Sequence, residues 1–325
     1  MSGALPAAPT ALLQRLEWRA RHAVNTTVSG EYRSAFRGKG MEFDQVVKYQ
    51  WGDDLRDIDW NVTARLGEPY RKRFVEERDL SVIFVFEDSP ALQFGSEGRT
   101  RRETLLETAA LLMLMSSINR DRVGLLYSAP GRSWFQRALP GRKGVLRVAS
   151  LLLAQEAPAL DGPSECALPW GKPAIAGRLG GDFSPSRPAI EGLSRKLAPR
   201  GSVLLWMGAF VPTEVPSAWR ELQQRYQAVG VRADDPWDAE LPNGAQFAAY
   251  DPIAGRLTTI NTASSTERAA HARWRERREN YFEELFPRLN DRLTVQNAQD
   301  PLDALMAYFH RHRRGSHPAA AQAAG

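Results

Sequence analysis

The chain of 325 residues contains a single cysteine, Cys166, so it can close no disulfide within itself and has no cysteine-rich metal site. It also lacks any apolar stretch near the ~18–20 residues needed to cross a bilayer. The most apolar helix candidate, Leu105 to Ile118, is interrupted by Glu107, Thr108, Ser116 and Ser117 and reads as a buried helix. The start, MSGALPAAPTALL, has neither the basic opening nor the long apolar core of a secretory signal. The expected compartment is therefore the cytoplasm. No membrane span is expected, although contact with a membrane surface stays open.

Other absences narrow the chemistry. No Gly-x-x-x-x-Gly-Lys-Ser/Thr occurs, and no Gly-x-Gly-x-x-Gly follows a strand, so nucleotide binding has no motif. A Gly-x-Ser-x-Gly elbow is missing too. His22, His271, His310, His312 and His317 show no ligand spacing and are expected to be solvated. Excess charge is small: 43 Lys and Arg against 38 Asp and Glu give +5. That is far from a nucleic-acid footprint. In the arginine-rich segment His271 to Arg278 the cations alternate with Glu276, Glu279, Glu283 and Glu284, as on a solvated helix with i,i+4 pairs.

What is present is alternation. Ala11 to Val24 reads as a helix, and a polar, glycine-punctuated stretch runs from Ser29 to Asp59. The chain turns extended at Pro69, passes a charged knot at Glu76 to Asp79, and enters the apolar run Leu80 to Phe86. A run this short and β-branched predicts a central strand buried on both faces. Arg101 to Asn119 then reads as a helix, Arg122 to Ser128 as a strand and Gly144 to Glu156 as a helix. A Pro/Gly-rich loop is expected from Pro158 to Pro188, and a helix from there to Leu197. Ser202 to Phe210 predicts a second buried strand, Ser217 to Val229 a helix, and Gly230 to Ala233 a further strand. Strands and helices in this order imply a three-layer α/β fold with a mostly parallel sheet. Short strands between Gln246 and Ile260, a long helix from Thr266 to Leu289, and a last helix from Pro301 to Arg313 form the C-terminal part.

One segment is denser in information than the rest. From Gly38 to Asp79 the chain reads GKGMEFDQVVKYQWGDDLRDIDWNVTARLGEPYRKRFVEERD. This resembles the signature of the DUF58 family in Gly38, Gly40, Glu42, Phe43 and Asp44. It matches again in Gly52, Asp53, Asp54, Arg56, Ile58, Asp59 and Trp60, in Thr63, Ala64 and Arg65, and in Glu76, Glu77, Arg78 and Asp79. Similarity continues through Phe94-Gly95-Ser96 to Asp235-Pro236 and Leu241-Pro242. The resemblance implies a von Willebrand factor A-like domain. It also implies a non-catalytic role beside a MoxR-type AAA+ ATPase, and beside other von Willebrand A proteins, in assembling or activating further proteins. Maturation of methanol dehydrogenase is one such system. The expected divisions are an N-terminal helix and signature segment (1–79), the α/β domain (80–240), C-terminal strands and helices (241–314) and a disordered tail (315–325).

Read from the residues alone, Asp53, Asp54, Asp57 and Asp59 would repel one another unless cations neutralise them, and Arg56 and Arg65 are suited to it. Trp60 is placed to cover such a network. Three readings stay open: ion pairs pinning the segment to the sheet, a partner-binding surface, or a Mg²⁺-dependent hydrolase built on Asp53 to Asp59. The von Willebrand resemblance also implies a Mg²⁺ loop after the first core strand. Here that loop is Glu87, Asp88, Ser89, Pro90 and Ala91, with Ala91 and Ala209 standing where relatives offer oxygen. The loop is expected to be degenerate, with no metal and no cofactor bound.

Overall fold

The computed structural model describes residues 32, 35, 36, 41–51, 53–76, 80–130, 132–158, 198–251 and 256–316. The helix expected over 11–24, the loop and helix expected over 159–197, and most of the expected tail lie outside these residues.

A hairpin, β1 (Met41–Lys48) with β2 (Tyr70–Glu76), encloses a 3-10 turn at Leu55–Asp57 and the short helix α1 (Trp60–Leu66). These strands pair with each other, antiparallel, and stand apart from the main sheet. The main chain path then runs β3 (Ser81–Glu87), α2 (Arg101–Ile118), β4 (Arg122–Ala129), β5 (Arg132–Leu139) and α3 (Gly141–Leu153). It continues through β6 (Val203–Gly208), α4 (Trp219–Arg225), β7 (Gln227–Asp234) and the single turn α5 (Pro236–Ala239). A second hairpin, β8 (Gln246–Asp251) and β9 (Arg256–Asn261), precedes α6 (Ser265–Leu285), β10 (Arg292–Gln296) and α7 (Pro301–Ser316).

Six strands form the main sheet in the order β10-β7-β6-β3-β4-β5, with only β5 antiparallel. β3 is central, and both its neighbours run parallel to it, in register Val82 to Val203 and Val82 to Val123. Its side chains alternate between two helical layers. Val82, Phe84 and Phe86 join the cluster built with α2, α3 and α7, whereas Ile83 and Val85 join α4 and α6. Every residue of β3 is buried, which is why the run is apolar without alternation.

Several expectations shift. β5 was not expected, because an edge strand with half-exposed residues shows no apolar run. The helix over 217–229 shrinks to Trp219–Arg225, and its expected last turn is the start of β7. The helix expected to reach Leu289 ends at Leu285, ahead of Pro287. β10 appears where no strand was read, and it completes the main sheet beside β7. Residues 241–314 thus contribute a strand and two covering helices to that sheet. Gly315 and Ser316 continue α7. Tyr32 and Phe36, expected in a polar stretch, are buried against Phe309 of α7, and the Tyr32 hydroxyl donates to Asp121 Oδ2 at 2.9 Å.

Candidate functional site

In a doubly wound sheet, ligands gather beyond the carboxyl ends of the strands, where the chain changes its direction of travel across the sheet. Here that point lies between β3 and β6. Glu87 and Asp88 end β3, and Gly208 and Ala209 end β6.

Both carboxylates at this point are already engaged. Asp88 is fully buried and accepts from Arg102 Nε at 3.0 Å on each oxygen and from Arg102 Nη2 at 2.8 Å. The Tyr127 hydroxyl donates a further bond to it at 2.8 Å. Burial, and then the charge of Asp88, push the Tyr127 hydroxyl above its ordinary pKa. Glu87 Oε2 accepts from the indole Nε1 of Trp206 at 2.9 Å.

Beside them sits a buried cluster of arginines and carboxylates from four elements. Arg278 reaches in from α6, with Nη1 at 3.0 Å from Asp234 Oδ1 and 3.1 Å from Asp238 Oδ2. Its Nε donates to the Ala209 carbonyl at 3.1 Å. Arg101 of α2 pairs with the other oxygen of Asp238 and donates to the Ala91 carbonyl at 3.1 Å. Arg232 of β7 donates to Asp234 Oδ2 at 2.9 Å and to Glu279 at 2.7 Å. Phe210, which follows Ala209, takes a left-handed backbone with φ 51° and packs its ring against Phe282. A non-glycine residue there costs about 1–2 kcal/mol, a strain that the surrounding aromatic contacts must offset.

Two motifs distant in sequence meet at the rim. Asp235 accepts from Ser96 N at 2.8 Å, Ser96 Oγ at 2.5 Å and Trp237 N at 3.0 Å. The chain reaches this contact through Gly95, where an added Cβ would fall 2.1 Å from the Arg99 carbonyl oxygen. Burial by itself would raise the carboxyls of Asp234 and Asp235. Arg278 and Arg232 outweigh it at Asp234, as the Ser96 bonds do at Asp235, so both lie below the usual value.

That shift predicts acid sensitivity. An unfolded aspartate titrates near pH 3.9, so a depressed folded value stabilises fully above about pH 4 and less as pH falls through it. On account of these aspartates, melting temperatures should drop below about pH 4. A melting temperature that rises on acidification would contradict this assignment.

The residues do not suit the Mg²⁺ ion that the von Willebrand resemblance implies. Arg102 neutralises Asp88, Trp206 occupies Glu87, and Ala91 and Ala209 present carbonyls already taken by Arg101 and Arg278. The Ser89 hydroxyl is buried with no hydrogen-bond partner among the described residues. One oxygen is far short of the roughly six that a hard cation needs. The arginines supply the positive charge at this edge.

The signature segment differs from expectation. Asp54 caps the 3-10 turn by accepting from Arg56 N, and Asp59 caps α1 by accepting from Asn61 N and Val62 N. Asp53 Oδ2 accepts from Gln50 N at 2.9 Å and lies 2.8 Å from Arg71 Nε, a charge contact rather than an aligned hydrogen bond. Among the described residues Arg56 pairs with its near neighbour Asp54, and its side chain is 91% exposed. Arg65 is exposed and makes no ion pair with a described residue. The expected buried Arg–Asp network is therefore absent among the described residues of this segment. Closely spaced acids in a turn find unsatisfied N–H groups next to them and cap these instead. Trp60 is 70% exposed, Trp51 is 99% exposed, and Leu55 and Leu66 are also largely in water. Asp57 is half-buried. Glu76 ends β2; Glu77 and Arg78 lie outside the described residues.

Sequence reasoning also placed Arg278 and His271 on a solvated face, whereas both are buried. His271 Nε2 pairs with the Trp237 carbonyl at 2.9 Å, and burial lowers its pKa. His312 is buried against Tyr308. No helix among the described residues is long and apolar enough to cross a membrane.

Comparison with known proteins agrees with the signature. A family model described as "Protein of unknown function DUF58" matches residues 45–281. Uncharacterized proteins of Mycobacterium bovis and of Mycobacterium tuberculosis are each 25% identical over 245 residues, which is 75% of this chain and 71% of theirs.

Proposed function

The chain belongs to the DUF58 family, and we propose that it is a von Willebrand factor A-like interaction protein, not an enzyme, working beside a MoxR-type AAA+ ATPase in the assembly or activation of other proteins. The ATPase enters through the family resemblance. The observation that carries an interaction role is the signature lobe. It holds Trp51, Leu55, Trp60 and Leu66 in water within sixteen residues of chain, although a folded chain ordinarily buries side chains of this size. Exposed tryptophans next to charged groups are the usual anchors of protein interfaces. The closed sheet edge supports the non-catalytic half of the reading, because its carboxylates are engaged by arginines, by the Trp206 indole and by Ser96 rather than left to react.

The competing reading, a Mg²⁺-dependent hydrolase on Asp53 to Asp59, has less support. Two of those carboxylates are spent on helix caps and a third on a backbone N–H. The experiment is co-purification of the tagged protein with a MoxR-type ATPase from the same genome, followed by ATPase assays of the pair. Stable association and altered ATP turnover are expected. Metal-stimulated hydrolysis by the purified protein alone would overturn the proposal.

A further inference from the structure

One edge of the main sheet is both open and of a single charge sign. β5 is the last strand of the sheet and, among the described residues, pairs with β4 alone. Alternate residues of an antiparallel strand direct their N–H and C=O groups away from the partner. β5 therefore presents a row of backbone donors and acceptors outward. Regular pairing covers 132–136, until a bulge at Arg137 and Ala138, opposite Gly124, interrupts it. Within that stretch two half-buried rings lie on opposite faces. Trp134 stacks on Tyr127 on the α2 and α3 side, and Phe135 packs with the α4 and α6 side.

The charge along this edge has one sign. From Arg122 to Gln155 the chain carries no Asp or Glu. Arg132 is held by neutral partners, the Gln155 amide oxygen at 2.8 Å and the Tyr127 ring. At the far end of β5, Leu139 pairs with Val123, which brings Arg122 to the same corner of the sheet. Gly144 lies against Leu139, so Lys143 in the first turn of α3 belongs to that corner too. Arg122, Arg137, Lys143 and Arg147 are exposed and form no ion pair with a described residue.

We infer that β5 is a docking edge for an acidic, extended segment of a partner polypeptide, which adds to the main sheet as a further strand. The charges select the occupant. A second copy of this chain, paired antiparallel through its own β5, would bring Arg132 and Arg137 together, and like charges across a ladder repel. An acidic strand is attracted by the same residues. A membrane or a nucleic acid would engage the cations, but it would leave the backbone row unpaired and the two rings without cross-strand neighbours. None of these residues belongs to the signature lobe, so the inference does not rest on the proposed function.

The test is a titration of the ¹⁵N-labelled protein with the peptide acetyl-Glu-Glu-Val-Thr-Val-Glu-Glu-amide, followed by NMR. Saturable shifts centred on 132–136 are expected, with a dissociation constant on the order of 0.1 mM. Alternate amides of that stretch should gain protection from hydrogen exchange as they acquire partners. A version N-methylated at every residue keeps the charge but has no N–H to donate, and it should bind at least about tenfold more weakly. Arg137→Glu should lower affinity for the parent peptide by about fivefold or more while the rest of the spectrum persists. Lys143→Glu should act in the same direction; an acid in the first turn of a helix is well tolerated, so this variant stays folded. Absence of saturable shifts on β5, equal binding of the N-methylated peptide, or indifference to both variants would overturn the inference. So would co-sedimentation with phosphatidylglycerol vesicles that Arg137→Glu abolishes, because the corner would then serve a lipid surface.

Discussion

Replacing Arg278 with alanine should lower stability by roughly 3–5 kcal/mol, because it strips the shared cation from two buried carboxylates. Asp234 and Asp238 each contact its guanidinium, and the Ala209 carbonyl loses its donor in the same step. Arg232 and Arg101 stay close, so the loss belongs at the lower end of the range if they can shift inward. At about 2–4 °C per kcal/mol for a domain of this size, the melting temperature should fall by roughly 10 °C. Arg65→Ala and Arg56→Ala are the controls, and both should melt like the parent protein, since these side chains lie in water. Equal losses for Arg278→Ala and Arg65→Ala would mean that the charges holding this fold have been misplaced.

The second large effect belongs to binding. Trp51→Ala and Trp60→Ala each remove an aromatic side chain that the isolated protein leaves in solvent. Neither should shift the melting temperature by more than about 1 °C, in keeping with the small effects of surface substitutions. If the lobe meets an ATPase through them, each should weaken the complex by at least about tenfold, the size expected for a tryptophan anchor. The combined variant should abolish co-purification. Association that survives both substitutions would move the interface elsewhere, and the rim around Asp235 would be the next surface to probe.

The sequence made the central strands legible because burial on both faces leaves an unmistakable mark. Leu80 to Phe86 and the run through Trp206 have no polar alternation, and both became neighbouring parallel strands. β5 and β10 left weaker marks. In β10 only Leu293 and Val295 are buried, and five residues of RLTVQ fit a loop as readily as a strand. Ser96 and Asp235 each sat in a noticed motif, but their contact spans 139 residues and nothing local announces it.

The charges were harder still. Asp53, Asp54, Asp57 and Asp59 drew the eye by their crowding, yet crowding in a turn produces caps. Arg278 looked solvated because helical periodicity treats any arginine as outward-facing. Its burial follows from where α6 crosses the sheet, beside carboxylates contributed by β7 and α5. A single chain does not display which of its arginines will meet which of its acids.

The claim that built-in arginines neutralise the sheet edge is tested most directly by calorimetric titration of Mg²⁺ and Mn²⁺ into the purified protein. Arg102 already holds both oxygens of Asp88, and Arg278 holds the Ala209 carbonyl. A divalent ion would have to displace these cations and find about six oxygens. No saturable heat is expected below about 1 mM. The double variant Ala91→Ser, Ala209→Asp should behave alike, since it adds oxygens without freeing Asp88. Micromolar binding of either ion, by the unmodified protein or by the double variant, would contradict the account.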